Sequence, residues 1–410
     1  MRSVSWALAG VLAAGMAWGQ ETPAPTPSPT PAPAPSPAAA PPPQPSPAAP
    51  QEPPPQPTPA PAPPETPPAT PPGGLGVPSN VFSPNPVNPT FFNPAIAVIG
   101  NFLATAGHNP VVPTKSFQLE ESEISFQAIV DPYARADLFL SFSNSGVDVE
   151  EGYITFLHLP WDLIVKAGKF KAQFGKINTL HLHVLPWPDE PLPIVNLLGS
   201  EEGWADEGAS VSKLIALPGD TFSEIYGQVF AGNVDNLFDA PSASKLSWNS
   251  QYRVYRDFGD DNNVEVGASY GGGFNGVTTD TRTDLQNFHM VYRWKPLQGR
   301  PYRSLIVRGE FFRSVRQQVG PTQIATGYFA SADYQLARRW FAGARYEWSG
   351  RAADATLHDR GVSTALTFMP SEFSVIRGEY RRRTYAGGHV ANEGILQIQY
   401  AIGAHGAHPF

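Results

Sequence analysis

Trp340-Phe-Ala-Gly-Ala-Arg-Tyr-Glu-Trp348 alternates in character. Trp340, Ala342, Ala344, Tyr346 and Trp348 take the even positions, and Arg345 and Glu347 fall between them. Ile324 to Leu336 repeats the pattern, setting Ile324, Tyr328, Ala330, Ala332, Tyr334 and Leu336 against Ser331, Asp333 and Gln335. A period of two places each set on one face of a strand. Aromatic residues at the segment ends, with small or aliphatic residues between them, suit a lipid-facing band bounded by interfacial girdles. The stretch therefore predicts an all-β fold, a transmembrane antiparallel β-barrel.

Working outward, similar segments fall near 393–403, 374–385, 360–369, 339–349, 323–337, 303–316, 284–295, 263–274, 245–257, 221–233, 208–217, 163–175, 148–158, 134–143 and 117–130. Single-chain bacterial barrels have an even strand count. Ala95-Ile-Ala-Val-Ile-Gly-Asn-Phe-Leu-Ala104 supplies a first strand, which makes 16. Short connections such as Asp131-Pro132-Tyr133, Pro160-Trp161-Asp162, Pro218-Gly219-Asp220, Ala337-Arg338-Arg339 and Pro370-Ser371-Glu372 alternate with longer ones at 105–116, 176–207, 234–244, 275–283 and 350–359. Short periplasmic turns and long outer loops are expected of this architecture. Sixteen strands would enclose a water-filled lumen.

The front of the chain points to export. Met1 to Met16 carries one Arg and a short apolar run, and Ala17-Trp18-Gly19 offers a cleavage site before Gln20. Residues 1–19 are read as a signal peptide. Residues 20–73 are read as a disordered linker, since about half of residues 21–72 are Pro and apolar anchors are absent. Stretched as polyproline II it would reach on the order of 160 Å, at about 3.1 Å per residue. Residues 74–92 form a short connecting segment, and 93–410 form the barrel. The expected location is the outer membrane, with the N-terminal segment in the periplasm.

Composition narrows the function. The chain has no Cys, which excludes disulfides, thiol catalysis and Cys-based metal sites. Beyond the linker it carries 27 basic and 33 acidic residues with no long single-sign run, which argues against nucleic acid as a partner. No repeat of fixed period suggests a propeller or solenoid. No nucleophile motif appears, His289 stands without an evident partner, and the chain is read as non-enzymatic with no cofactor. It shows no plug domain and is too short for 22 strands, which argues against a TonB-dependent transporter.

Charge on the lipid face costs about 2–4 kcal/mol at the midplane, so charged positions in strands are assigned to the lumen. Alternation puts Glu121, Glu123, Arg135, Asp137, Glu151, Arg253 and Asp333 there. Arg-x-Glu recurs as Arg308/Glu310, Arg345/Glu347 and Arg377/Glu379, followed by Arg381, and is expected to form a cross-strand charge ladder. Its two readings are a stiff hydrated wall and a transverse field acting on permeating ions. Lys169, Lys171 and Lys176, leading into the longest loop, are expected to form a basic patch beside the constriction, because rings of Lys or Arg select anions.

Gly152-Tyr-Ile-Thr-Phe156 and Gly168-Lys-Phe-Lys-Ala-Gln-Phe-Gly-Lys176 resemble the phosphate-selective porins of the O and P type, where a strand of this character precedes the constriction loop. Asn93-Pro-Ala-Ile-Ala-Val-Ile-Gly100 and Gly403-Ala-His-Gly-Ala-His-Pro-Phe410 look like outer-membrane barrels related to that group. The resemblance implies a sixteen-stranded channel that assembles as a homotrimer. It does not carry phosphate specificity, because this lumen mixes both signs and the domain is net acidic. The expected partners are outer-membrane lipids and small solutes or ions.

The loop 176–207 is too apolar for a freely solvated outer loop and is expected to fold into the barrel. His181 and His183 share a face in an extended segment and, with a carboxylate, could hold a metal; polar packing is the simpler role. The functional expectation is a porin for small hydrophilic solutes or ions, weakly anion-selective. The alternatives are a structural barrel tethered to the cell wall through 21–72, or divalent-metal transport. Phe410 follows His408-Pro409, which leaves open whether it or Gln397 to Gly403 carries the last-strand signal.

Overall fold

The structure is a computed structural model that describes residues 94–143, 146–157, 159–296 and 302–403. The segments read as leader, linker and connector, together with His405, His408 and Phe410, lie outside the described residues.

Sixteen strands close a barrel: β1 (Ala95–His108), β2 (Phe117–Asp131), β3 (Ala134–Ser143), β4 (Gly146–Phe156), β5 (Leu163–Lys171), β6 (Ala205–Leu217), β7 (Thr221–Phe230), β8 (Ser247–Phe258), β9 (Asn262–Phe274), β10 (Arg282–Trp294), β11 (Leu305–Arg316), β12 (Gln323–Ala337), β13 (Trp340–Arg351), β14 (Asp354–Ser371), β15 (Ser374–Thr384) and β16 (Val390–Gly403). Each is antiparallel to the strands before and after it in sequence. β16 closes on β1, with Ala97 opposite Gly403 and His108 opposite Asn392. Closure leaves no sheet edge unpaired, which a strand in lipid requires.

The alternation read from Trp340 to Trp348 sorts inside from outside. Arg345 and Glu347 are buried within, whereas Trp340 and Tyr346 are exposed on the outer wall. Register carries the same sorting to neighbours: Arg345 lies opposite Ser331 on β12 and Ser363 on β14, both inward. The outer wall shows large apolar side chains from strand after strand, among them Phe102, Ile225, Phe288, Phe311, Leu366 and Ile398. Aromatic pairs stand along it. Trp340 meets Phe368 with ring centroids 4.7 Å apart, and Tyr328 stacks on Trp348 at 5.9 Å.

Three connections show how the boundaries shift from the sequence reading. The expected outer connection 350–359 shrinks to Ala352 and Ala353, because β14 begins at Asp354. Beyond the lipid a strand can continue with polar residues on both faces, so its alternation fades while its ladder does not. β5 ends at Lys171 and β6 starts at Ala205, so the long loop spans 172–204. The rim of the short turns also carries a longer connection, between Trp294 and Leu305.

Candidate functional site: a loop folded into the bore

The loop 172–204 leaves the outer end of β5 and turns into the barrel. Its neck is tied by Asn178, whose side-chain amide donates to the carbonyls of Ala172 (2.9 Å) and Trp204 (3.1 Å) and whose oxygen accepts from Trp204 N–H (2.8 Å). Gly203 sits against this knot at φ 67°, and a Cβ there would meet Asn178 Oδ1 at 2.2 Å. Only glycine fits this position without strain.

The first leg runs along β7 to β11, where inward polar side chains satisfy its backbone. Gln173 N–H donates to Gln228, Gly175 N–H to Ser269 Oγ, and Gln251 donates to the Gly175 carbonyl. Glu310 Oε1 accepts from both Lys176 N–H (3.0 Å) and Ile177 N–H (2.7 Å). Buried loop backbone needs such partners, and the wall supplies them.

The chain then crosses to β2 and β4. His181 Nδ1 lies 2.5 Å from Glu123 Oε2 and 3.4 Å from Glu150 Oε2, and His183 Nδ1 lies 3.7 Å from Glu121 Oε2 and from Glu123 Oε2. A third leg reaches β13 and β15. Asp189 takes Arg345 at 2.8 Å, Arg381 at 2.7 Å and Arg383 at 2.6 Å. Burial would push the Asp189 carboxyl up, but the three guanidinium groups outweigh it and hold it well below the usual carboxylate range. The short helix Leu192–Leu197 follows, with Leu192 N–H donating to Glu347 (3.1 Å) and Asn196 to Asp359 (3.0 Å). Between the legs Phe174, Trp187, Leu197 and Trp204 pack with Phe230, Phe312 and Phe329 of the wall in an apolar core inside the barrel.

These contacts redistribute the residues singled out in the sequence. The ladder pairs do not run as one cross-strand ladder. Arg308 pairs with Asp333, Glu310 holds loop backbone, and Arg345 and Arg381 hold Asp189. Glu347 pairs with Arg383 (2.7 Å), and Arg377 bonds Thr367 and Gln397. Both carboxylate oxygens of Glu379 are buried and make no hydrogen bond among the described residues. The lysines do not form a patch, which corrects the expectation. Lys169 lies opposite Gly152 and Glu207, in the outward phase of β5; the inward phase is taken by Lys166, Gly168 and Phe170. Lys171 Nζ turns to Glu150 (3.4 Å) and the Glu202 carbonyl, and Lys176 Nζ to Glu265 (3.2 Å).

Sequence reasoning passed over Asp189, Glu150 and Arg383. Arg383 was within reach, being in phase with Arg377, Glu379 and Arg381 on one strand. Glu150 was not, because a bulge between Phe139 and Leu140 brings it in beside Glu151.

Compared with known proteins, the chain matches no family model. It is 28% identical over 354 residues to an uncharacterised protein of Aquifex aeolicus strain VF5, covering 74% of this chain and 72% of that one. Among solved structures it is similar to an anion-selective porin from Comamonas acidovorans (TM-score 0.52, 11% identity, 76% of this chain and 99% of that one). It is also similar to OprB of Pseudomonas putida (TM-score 0.52, 11% identity, 76% and 94%) and to the outer membrane channel DcaP of Acinetobacter baumannii (TM-score 0.51, 9% identity, 76% and 96%). The fold is that of the outer-membrane porins. The likeness reaches the porin barrel and does not single out the phosphate-selective group.

Proposed function

We propose that the protein is an outer-membrane porin, a diffusion channel for small hydrophilic solutes or ions whose bore is narrowed by the loop 172–204. One observation carries the reading: the closed wall is apolar outside and charged inside. Water would not tolerate a continuous apolar belt, since exposed patches on soluble proteins rarely exceed a few hundred Å². Lipid outside and an aqueous path inside satisfy both faces. The barrel ends, β1 and β16, share the rim of the short turns, which supports a periplasmic N-terminal segment. Assembly into homotrimers, implied by the resemblance, belongs to the same proposal and would be read from mass in mild detergent.

The interior charge favours cations over anions. Around the loop, Glu121, Glu123, Glu150, Glu151, Asp189, Glu265, Glu310, Glu347, Glu379 and Glu393 face Lys171, Lys176, Arg345, Arg377, Arg381 and Arg383, while burial pushes the Glu190 carboxyl up to about 8. Toward the periplasm the signs pair off, as Arg135 with Asp137, Arg253 with Glu224 and Arg308 with Asp333. An acidic constriction raises the local cation concentration. Neither a dense basic ladder nor the lysine patch supports phosphate selection. Purified protein in a planar bilayer is expected to show ohmic conductance, with a reversal potential under a KCl gradient on the cation-preferring side. Membrane insertion without conductance would refute the porin and favour a tether built on residues 21–72.

A further inference from the structure

We propose that the loop and the barrel wall share a binding site for one divalent transition-metal cation of the zinc class, formed by His181, His183 and Glu123 with Glu121 or Glu150 as the fourth donor. Donor atoms of Glu123, His181 and His183 lie within 4.8 Å of one another, and all three residues are buried. Nitrogen and oxygen donors bind zinc at about 2.0–2.2 Å, so the edge of a tetrahedral site is about 3.4 Å. The separations of 3.4 Å (His181 to Glu150) and 3.7 Å (His183 to Glu123 and to Glu121) match that edge, and the 2.5 Å between His181 and Glu123 would open to it.

A second observation points the same way. Glu121 Oε2, Glu150 Oε2 and Glu151 Oε2 are buried and make no hydrogen bond among the described residues. A buried carboxylate oxygen without a hydrogen bond is costly, and such oxygens lying 3.4 to 3.8 Å from the nitrogens of two imidazoles ask for a cation. Glu121, Glu123, Glu150 and Glu151 face Lys171 and, from β5, Lys166. Two positive charges are missing from that balance. Two imidazole protons can supply them, and so can one dication bound by neutral imidazoles. Mixed imidazole and carboxylate donors suit zinc better than calcium or magnesium. The ion would join the loop to β2 and β4, and the site stands whether or not the barrel conducts.

The test uses the full chain folded in detergent, stripped with EDTA and titrated with ZnCl2. Wild type is expected to bind one equivalent, and Co²⁺ in its place should show the intense visible bands of a tetrahedral site. His181→Ala and His183→Ala should each weaken binding at least about a hundredfold, since even outer-sphere partners are worth 10–100-fold. Heat-modifiable migration on gels reports that each variant is folded. Glu123→Gln, which keeps its shape, serves as a further variant and should show the same loss. Absence of binding in wild type overturns the proposal, as does stoichiometric zinc that survives the double His181→Ala/His183→Ala change.

Discussion

Asp189→Ala removes the carboxylate that three arginines share, and its effect can be worked from the contacts each arginine keeps. Arg383 retains Glu347 at 2.7 Å, Arg381 retains Glu393 at 2.9 Å, and Arg345 retains Glu347 at 3.4 Å. Deleting one member of a buried ion pair costs about 3–5 kcal/mol, chiefly by leaving its partner uncompensated. Here two carboxylates remain for the three guanidinium groups, Glu393 for Arg381 and Glu347 shared by Arg345 and Arg383, so each keeps a contact and the low end applies, about 3 kcal/mol. At about 1.4 kcal/mol per decade, the undocked population of this leg should rise about a hundredfold. The neck at Asn178 and the contacts of Glu310 are untouched, so the loop should loosen at its tip without leaving the bore.

Single-channel recordings in a planar bilayer should therefore show gating noise and a higher mean conductance. Protease should cut between Thr179 and Leu198 in the variant and spare the wild type. The pH response fixes the sign. A carboxyl held below its unfolded value contributes stability above that value and loses it only as pH falls through the lower, folded value. Wild-type traces should thus stay quiet from about pH 4 to 8, since an unperturbed Asp titrates near 3.9. Variant channels as quiet and as protease-resistant as wild type would refute the clamp.

Burial pushes the Lys176 ammonium down to about 8, even with Glu265 beside it. Above that pH the permeability ratio should move further toward cations; burial also pushes the Glu190 carboxyl up to about 8, so Lys176→Met should shrink the step and Lys176→Met with Glu190→Gln should abolish it. Between about 8 and 10.5 the folded chain binds fewer protons than the unfolded one, so stability against urea should rise with pH across that window. Lys169→Glu should leave the reversal potential unchanged, because Lys169 faces outward beside Glu207; a shift would return it to the lumen. Gly203→Ala should destabilise the loop neck by about 2–3 kcal/mol, adding a left-handed backbone cost of about 1–2 to a lost hydrogen bond of about 1, read as channel noise. Leu366→Arg, on the exposed outer face, should lower folding stability in vesicles by about 2–4 kcal/mol, and an unchanged urea midpoint would contradict a lipid-facing wall.

The wall was legible because lipid and water impose period two on it. Each strand through the bilayer must turn apolar residues out, so Trp340 to Trp348 and Ile324 to Leu336 could be assigned faces from composition alone. The phase of β5 escaped for the opposite reason. Leu163-Ile-Val-Lys-Ala-Gly-Lys-Phe-Lys171 mixes Lys with apolar residues on both faces, and Phe170 on the inner face points into the dry packing beneath the loop and meets Phe230 at 5.2 Å. With no wet face to mark the lumen, Lys169 looked inward. The loop escaped because its path is set by side chains bonding backbone on distant strands, as Glu310 does with Ile177, and such pairings leave no periodic trace.

Those pairings divide the loop's attachments into two chemical kinds. Along β7 to β11 and at Asp189 the chain supplies both partners, so docking there depends on nothing outside the protein. At His181 and His183 it supplies an excess of carboxylate, and docking draws on two protons or one dication. The three arcs of wall are joined through a single loop, so loosening one arc lowers the cost of loosening the next. Asp189→Ala should therefore sensitise the loop to the state of the histidine cluster. Channels of this variant should be quieter with ZnCl2 than with EDTA, by more than the wild type is. Equal zinc effects in the two would mean that the arcs hold the loop independently, and that the loop bends between them instead of acting as one strut.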